Sequence, residues 1–276
     1  MSEIDVVLSS VAGPVATVTL NRPKYRNAQS YELLDELDRA LGAAAADDNV
    51  RVIIVRGAGG NFSSGHDLGT PESTADRKVR GIPDSGLDWY EAYRHYNLDL
   101  TLKWRNLPKP TIAMVEGFCI FGGWMIAAAM DVVFAASDAL FLPALLEYAS
   151  LPWDLGPKKA KEMCFESRFL TAIEACETGF VNRVLEPDTL ERETIAYAER
   201  VAENDPMTLR MTKLFFNKAQ DLMGFTSGME GGFSDYVVMS DHRGAQRVEG
   251  VRRLGGVDLA LRGLRGERAG QTPPSS

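Results

Sequence analysis

Two glycine clusters in this chain could act on a carbonyl group. One is Ser63-Ser64-Gly65-His66-Asp67-Leu68, and the other is Gly117-Phe118-Cys119-Ile120-Phe121-Gly122-Gly123. A reacting carbonyl gathers negative charge on its oxygen, and two preorganised backbone N–H groups can stabilise that charge. One such donor is worth about 3–4 kcal/mol. Glycine permits both the turned peptide plane and the close approach. A helix start adds unpaired N–H groups and the positive end of a dipole. Glycine after a strand is also an ordinary turn, so neither cluster alone selects this chemistry. The GAGG at 57–60 is not a nucleotide loop, because it lacks the Gly-Lys-Ser/Thr ending and the dinucleotide spacing. No His/Cys/carboxylate grouping has metal-ligand spacing. Cys119, Cys164 and Cys176 match neither a disulfide framework nor a zinc site.

These clusters need elements to aim them. β-Branched runs predict strands over 5–9 and 15–20, joined by a Gly-Pro turn. After the loop NRPKYRNAQ, Ser30 caps a predicted helix with Leu34, Leu37 and Leu41 on one face. RVIIVR at 51–56 reads as a buried strand running straight into the first cluster. Residues 69–86, with Pro71, Gly81, Pro83 and Gly86, read as a mobile surface loop. A helix is expected over 88–105, stopped before Pro108 and Pro110. A strand over 111–115 then leads to the second cluster, which opens a buried helix near Gly122, followed by a strand over 132–135. This alternation indicates an α/β fold. The second half reads as helices over 158–166, 172–178, 188–203, 206–223 and 228–239. The Arg- and Gly-rich tail past Arg243 is expected to end in disorder.

The formal net charge of -8 and pI near 5.1 oppose binding to a phosphate backbone, so nucleic acid is not an expected partner. The start MSEIDVVLSS lacks the features of a signal peptide, and no apolar run is long enough to span a bilayer. The reading is a cytoplasmic protein with no membrane partner.

Several stretches resemble the crotonase (enoyl-CoA hydratase/isomerase) superfamily. LNRPKYRNAQS resembles its opening strand and loop, NFSSGHDL its first oxyanion segment, and KPTIAMVEGFCIFGGWMIAAAMDVVFAA its second. TAIEACETGFVNRVLEPDTL is similar to its later helix-turn-strand. The resemblance spans nearly all of 5–225. It implies a ββα spiral core over 1–205 that binds an acyl-CoA thioester, with coenzyme A entering as part of the substrate and no other cofactor. It also implies a C-terminal helical oligomerisation region over 206–276, building a homotrimer or a hexamer of paired trimers. Carried over residue by residue, the backbone N–H groups of His66 and Gly122 would form the oxyanion hole. Arg26, Ala28, Ser64, Asp67 and Leu68 would lie along the CoA channel.

The sequence departs from the family at the two glutamates that hydratases use. Met125 stands at the first position and Leu145, in Phe141-Leu142-Pro143-Ala144-Leu145, at the second. Each such acid or base typically contributes ~10²–10⁴-fold, so efficient hydration of a simple enoyl-CoA is not expected. Glu147 and Asp154 are the nearby carboxylates. Asp154 falls near the reactive aspartate of related aryl-CoA dehalogenases, or it simply caps the turn before a helix. Trp124, Met125 and Trp153 flank the expected acyl site, although core packing is the commoner fate of such a Trp. The His66 ring either titrates in the pocket or fills space beside Asp67. His95 and His242 read as surface or packing residues. Tyr90, Tyr93 and Tyr96 share roughly one helix face. The function implied is an acyl-CoA enzyme of isomerase, lyase, hydrolase or decarboxylase type, as in fatty acid metabolism. The alternative is a catalytically silent acyl-CoA binder or scaffold.

Overall fold

The computed structural model describes residues 5–143, 148–248 and 256–267. Its strands are β1 (Val7–Ala12), β2 (Val15–Leu20), β3 (Val52–Gly57), β4 (Thr111–Val115), β5 (Phe118–Ile120), β6 (Val132–Ala136), β7 (Leu140–Leu142), β8 (Leu170–Thr171) and β9 (Arg183–Leu185). A six-stranded sheet runs β1-β2-β3-β4-β6-β9. Only the β1–β2 hairpin is antiparallel, and the other pairings are parallel. β3 and β4 are central and almost wholly apolar, as a sheet covered on both faces requires. β1 sits at the edge and is mostly exposed.

The helices of the first half are α1 (Tyr31–Ala46), α2 (Pro71–Val79), α3 (Leu87–Arg94), α4 (Leu100–Arg105) and α5 (Gly122–Ala129). Ser30 caps α1 by accepting from the Leu33 N–H, and Leu33, Leu34, Leu37 and Leu41 enter the core. The stretch expected to be a loop over 69–86 instead carries α2. Thr70 caps it, and Pro71 occupies the first turn, where its missing N–H costs nothing. Between α3 and α4 the chain makes a π-helical turn, His95–Asp99. The wider turn breaks the three-residue spacing of the tyrosines. Tyr90 and Tyr93 pack on Phe233, while Tyr96 swings to Tyr31, 4.6 Å between centroids.

The second half supplies α6 (Leu151–Asp154), α7 (Pro157–Glu166), α8 (Ala172–Glu177), α9 (Pro187–Ala202), α10 (Pro206–Leu222), α11 (Phe225–Val248) and α12 (Gly256–Leu264). α10 is tied to the core on one side, where Lys213 Nζ meets Asp131 Oδ2 at 2.8 Å. Its other side leaves Met207, Met211, Leu214, Phe215 and Phe216 exposed. A second, three-stranded sheet runs β5-β7-β8. Over it lies a small apolar cluster of Ile120, Leu142, Phe169 and Ala260, which Phe121 and the α12 residues Val257, Leu261 and Leu264 also join. No helix among the described residues is long and apolar enough to cross a membrane. The end of the tail, 268–276, lies outside the described residues, as do Leu145 and Glu147.

Candidate active site

The site is assembled from three loops that zip together through backbone hydrogen bonds. In the loop before α1, Arg26 and Asn27 both take left-handed backbone angles, φ 49° and 55°. Such angles are uncommon outside glycine, though asparagine tolerates them. The buried Asn27 side chain holds the turn. Its Oδ1 accepts from the Arg22 N–H at 2.9 Å, and its Nδ2 donates to the carbonyls of Ala58 (3.0 Å) and Asn61 (2.7 Å). The first glycine cluster then pairs with this loop. Ser64 N–H donates to Arg26 O at 2.8 Å, Gln29 N–H to Gly65 O at 2.8 Å, and Asp67 N–H to Gln29 O at 3.0 Å. Because Gly65 O and Asp67 N–H both face Gln29, the His66 N–H between them points the opposite way.

The second cluster docks on the first. Ser63 N–H donates to Phe118 O at 2.9 Å, and Ile120 N–H to Ser63 O at 3.0 Å. Gly65, at φ 88°, is required here, because a Cβ would come within 2.7 Å of Ile120 O. Phe121 turns the chain with φ 43° and ψ -100°, and α5 starts at Gly122. The first-turn N–H groups of α5, that of Gly122 among them, have no acceptor within the helix. Gly122 is also the point of closest approach. A Cβ on it would strike the Gln29 carboxamide and come within 3.0 Å of His66 Cε1. The structure therefore brings His66 and Gly122 side by side, each on a turn that aims its peptide plane.

The other sequence candidates are distributed as follows. Asp67 turns away into a clamp. Arg22, buried, donates to Asp67 Oδ2 (2.8 Å), to Ala28 O (2.5 Å) and to Thr70 Oγ1 (3.2 Å). The Asp67 carboxyl sits below its ordinary value of 3.8; burial opposes this, and hydrogen bonds from Thr70, Arg22 and Gly69 outweigh it. Ala28 is buried, with its carbonyl engaged by Arg22. Ser64 Oγ donates to Tyr25 O at 3.1 Å. Arg26 is exposed, its guanidinium over the Phe118 ring at 5.8 Å, and Leu68 is 91% exposed.

Trp124 and Met125 both turn into the core. The Trp124 ring stacks on Phe180 at 3.8 Å, and its indole N–H donates to Asp154 Oδ2 at 3.1 Å. Asp154 closes α6 and does not cap the next helix. α7 begins after Gly156 without a side-chain cap. Asp154 also accepts from Ser150 Oγ at 2.5 Å. The residue is half-buried overall, but its carboxylate points inward. Burial pushes its pKa up to about 7, against the opposing hydrogen bonds from Ser150 and Trp124. Tyr148 is enclosed beside it, and burial, then the charge of Asp154, pushes its phenol up as well. Trp153 packs its ring against Phe225 at 5.0 Å.

Sequence reasoning passed over Arg22, Gln29, Ser63 and Ser150. Arg22 stood inside the NRPK stretch, where a lone arginine reads as a surface cation. Ser150 stood four residues before Asp154, a spacing that would have signalled the pair.

The comparisons with known proteins agree with this architecture. The family model described as enoyl-CoA hydratase/isomerase matches residues 11–237. A probable enoyl-CoA hydratase from Mycobacterium smegmatis is 41% identical, with a TM-score of 0.76 over 84% of this chain and 93% of that one. One from Mycobacterium thermoresistibile is 38% identical, with a TM-score of 0.77 over 88% and 99%. An enoyl-CoA hydratase/isomerase from Xanthobacter autotrophicus Py2 is 35% identical, with a TM-score of 0.76 over 83% and 85%. With the family model covering most of its length and solved relatives sharing its fold, the chain belongs to the enoyl-CoA hydratase/isomerase, or crotonase, family.

Proposed function

We propose that this protein is an acyl-CoA isomerase. It polarises a thioester carbonyl between the N–H groups of His66 and Gly122, and it moves one proton with Asp154. The observation that carries the reading is the apposition of the two glycine turns, with Gly122 opening a helix beside His66. Hydration needs one group to activate water and another to deliver a proton. Isomerisation needs a single base, which takes a proton from one carbon and returns it to another while the thioester oxygen carries the charge between. Met125 cannot serve as an acid. Asp154, at the end of α6, accepts a hydrogen bond from Trp124 of the helix that Gly122 opens, and its pKa lies near neutrality, where a base of this kind works best. Coenzyme A would enter as part of the substrate, flanked by Arg26, Leu68 and the backbone at Ala28 and Ser64. Asp67 would serve by holding Arg22.

The test is a panel of 2-enoyl-, 3-enoyl-, β-keto- and aryl-CoA esters, with double-bond migration followed by chromatography. Migration supports the reading, and turnover confined to another class overturns it. A silent acyl-CoA binder is the second reading, favoured by the enclosure of the Asp154 carboxylate. It predicts that cinnamoyl-CoA binds with a red-shifted spectrum while nothing on the panel turns over. The exposed apolar side of α10 is assigned to contacts between copies in a trimer or a hexamer. Light scattering that finds a monomer would remove that assignment.

A further inference from the structure

The side chain of Gln29 is 6% exposed and lies in the seam between the two glycine turns. Its orientation follows from Ser63. The Ser63 hydroxyl donates to Asn27 O at 2.8 Å and accepts from the Gly65 N–H at 3.1 Å. With its one proton committed, Ser63 Oγ can only accept from a further partner, so it faces Gln29 Nε2, at 3.4 Å. The carboxamide oxygen must then face the other way. It does, lying against Gly122 on the side where a Cβ would be, next to the His66 ring. Among the described residues no donor reaches Gln29 Oε1. An acceptor thus lies beside the Gly122 turn, fixed in direction and unmatched among the described residues.

Covering an unmatched acceptor with an apolar group is costly, whereas a donor satisfies it. Resting on the thioester reading above, we infer that Gln29 is a specificity-determining residue that accepts a hydrogen bond from the acyl group. The site then selects acyl-CoA thioesters with a hydroxyl on the second or third carbon over their unsubstituted counterparts. Discrimination of this kind is asymmetric: a site with a built-in hydrogen-bonding group rejects an analogue that leaves it unpaired more strongly than an apolar pocket rejects an added hydroxyl.

The experiment measures by calorimetry the affinities of butyryl-, 2-hydroxybutyryl- and 3-hydroxybutyryl-CoA. It uses the wild-type protein, Gln29→Met and Gln29→Glu. The wild type should bind one hydroxyacyl ester roughly tenfold more tightly than butyryl-CoA, one net hydrogen bond's worth. Gln29→Met, similar in volume, should bring that ratio to about one, within the same hydrogen-bond arithmetic. Gln29→Glu keeps an acceptor and should keep the preference, while its charge weakens all three esters together. No preference in the wild type, or a preference surviving in Gln29→Met, overturns the assignment. The red shift of bound cinnamoyl-CoA is read in parallel. Its absence from the wild type overturns the oxyanion reading, whereas an intact shift without hydroxyl preference overturns only the role of Gln29.

Discussion

The loops around His66 and Gly122 and the pocket around Asp154 solve the same problem, a polar group held inside a protein, by opposite means. The first is a net of backbone hydrogen bonds across three loops, with side chains of Asn27, Ser63 and Arg22 as ties. The second is a single carboxylate held by one hydroxyl and one indole. A backbone net fixes direction and tolerates no change of shape. A side-chain pocket fixes protonation, and a change of one atom alters it. The two regions should therefore fail differently.

The largest effect is expected from Asp154→Asn, which keeps the shape and removes the proposed base. Turnover should fall ~10²–10⁴-fold while the cinnamoyl-CoA red shift survives. Loss of both together would mean that the two regions are not separable. Gly122→Pro removes one donor, and turnover should fall ~10²–10³-fold with the red shift lost as well. An unchanged shift would refute the proposed hole. Arg22→Met leaves the Asp67 carboxylate buried without its cation and should lower stability by about 3 kcal/mol in urea titration. Stability equal to wild type would show that the clamp contributes nothing.

The last contrast is in pH dependence, where the two regions carry opposite signs. Asp67 has a lowered carboxyl pKa in the fold. Its contribution is complete above the unfolded value near 4 and is lost as pH falls through the folded value. Asp154 has a raised one, about 7. The fold is then progressively disfavoured as pH rises from about 4 to about 7, with no further change above. Asp154→Asn should flatten the stability profile between pH 4 and 8, measured by urea titration at each pH. A profile parallel to wild type would place the carboxyl in water.

Much of the fold was legible because the signals were local. Ser30 and the Leu34/Leu37/Leu41 stripe announced α1, and the apolar run ahead of each glycine cluster announced β3 and β4. Helix α2 was hidden because Pro71 reads as a breaker unless Thr70 is recognised as its cap. The second sheet was hidden because strands of two or three residues carry no period. At the site, the glycine turns stood out by type. The orientation of Gln29 did not, since it depends on Ser63, 34 residues away, and on where Ser63 spends its proton. The neutral-range titration of Asp154 was equally hidden, because burial is a property of the assembled core.

Phe121 is the residue whose backbone most strains to present Gly122, and its ring is held in a cluster completed by α12. Strain of this kind persists only while its surroundings over-determine it. On the ribosome those surroundings arrive late. The turn at 121 emerges long before residues 257–264, which hold its ring. The turn that presents Gly122 would then remain unset until α12 has been made, and a nascent chain stalled before α12 would present a finished sheet with an unset turn at its edge.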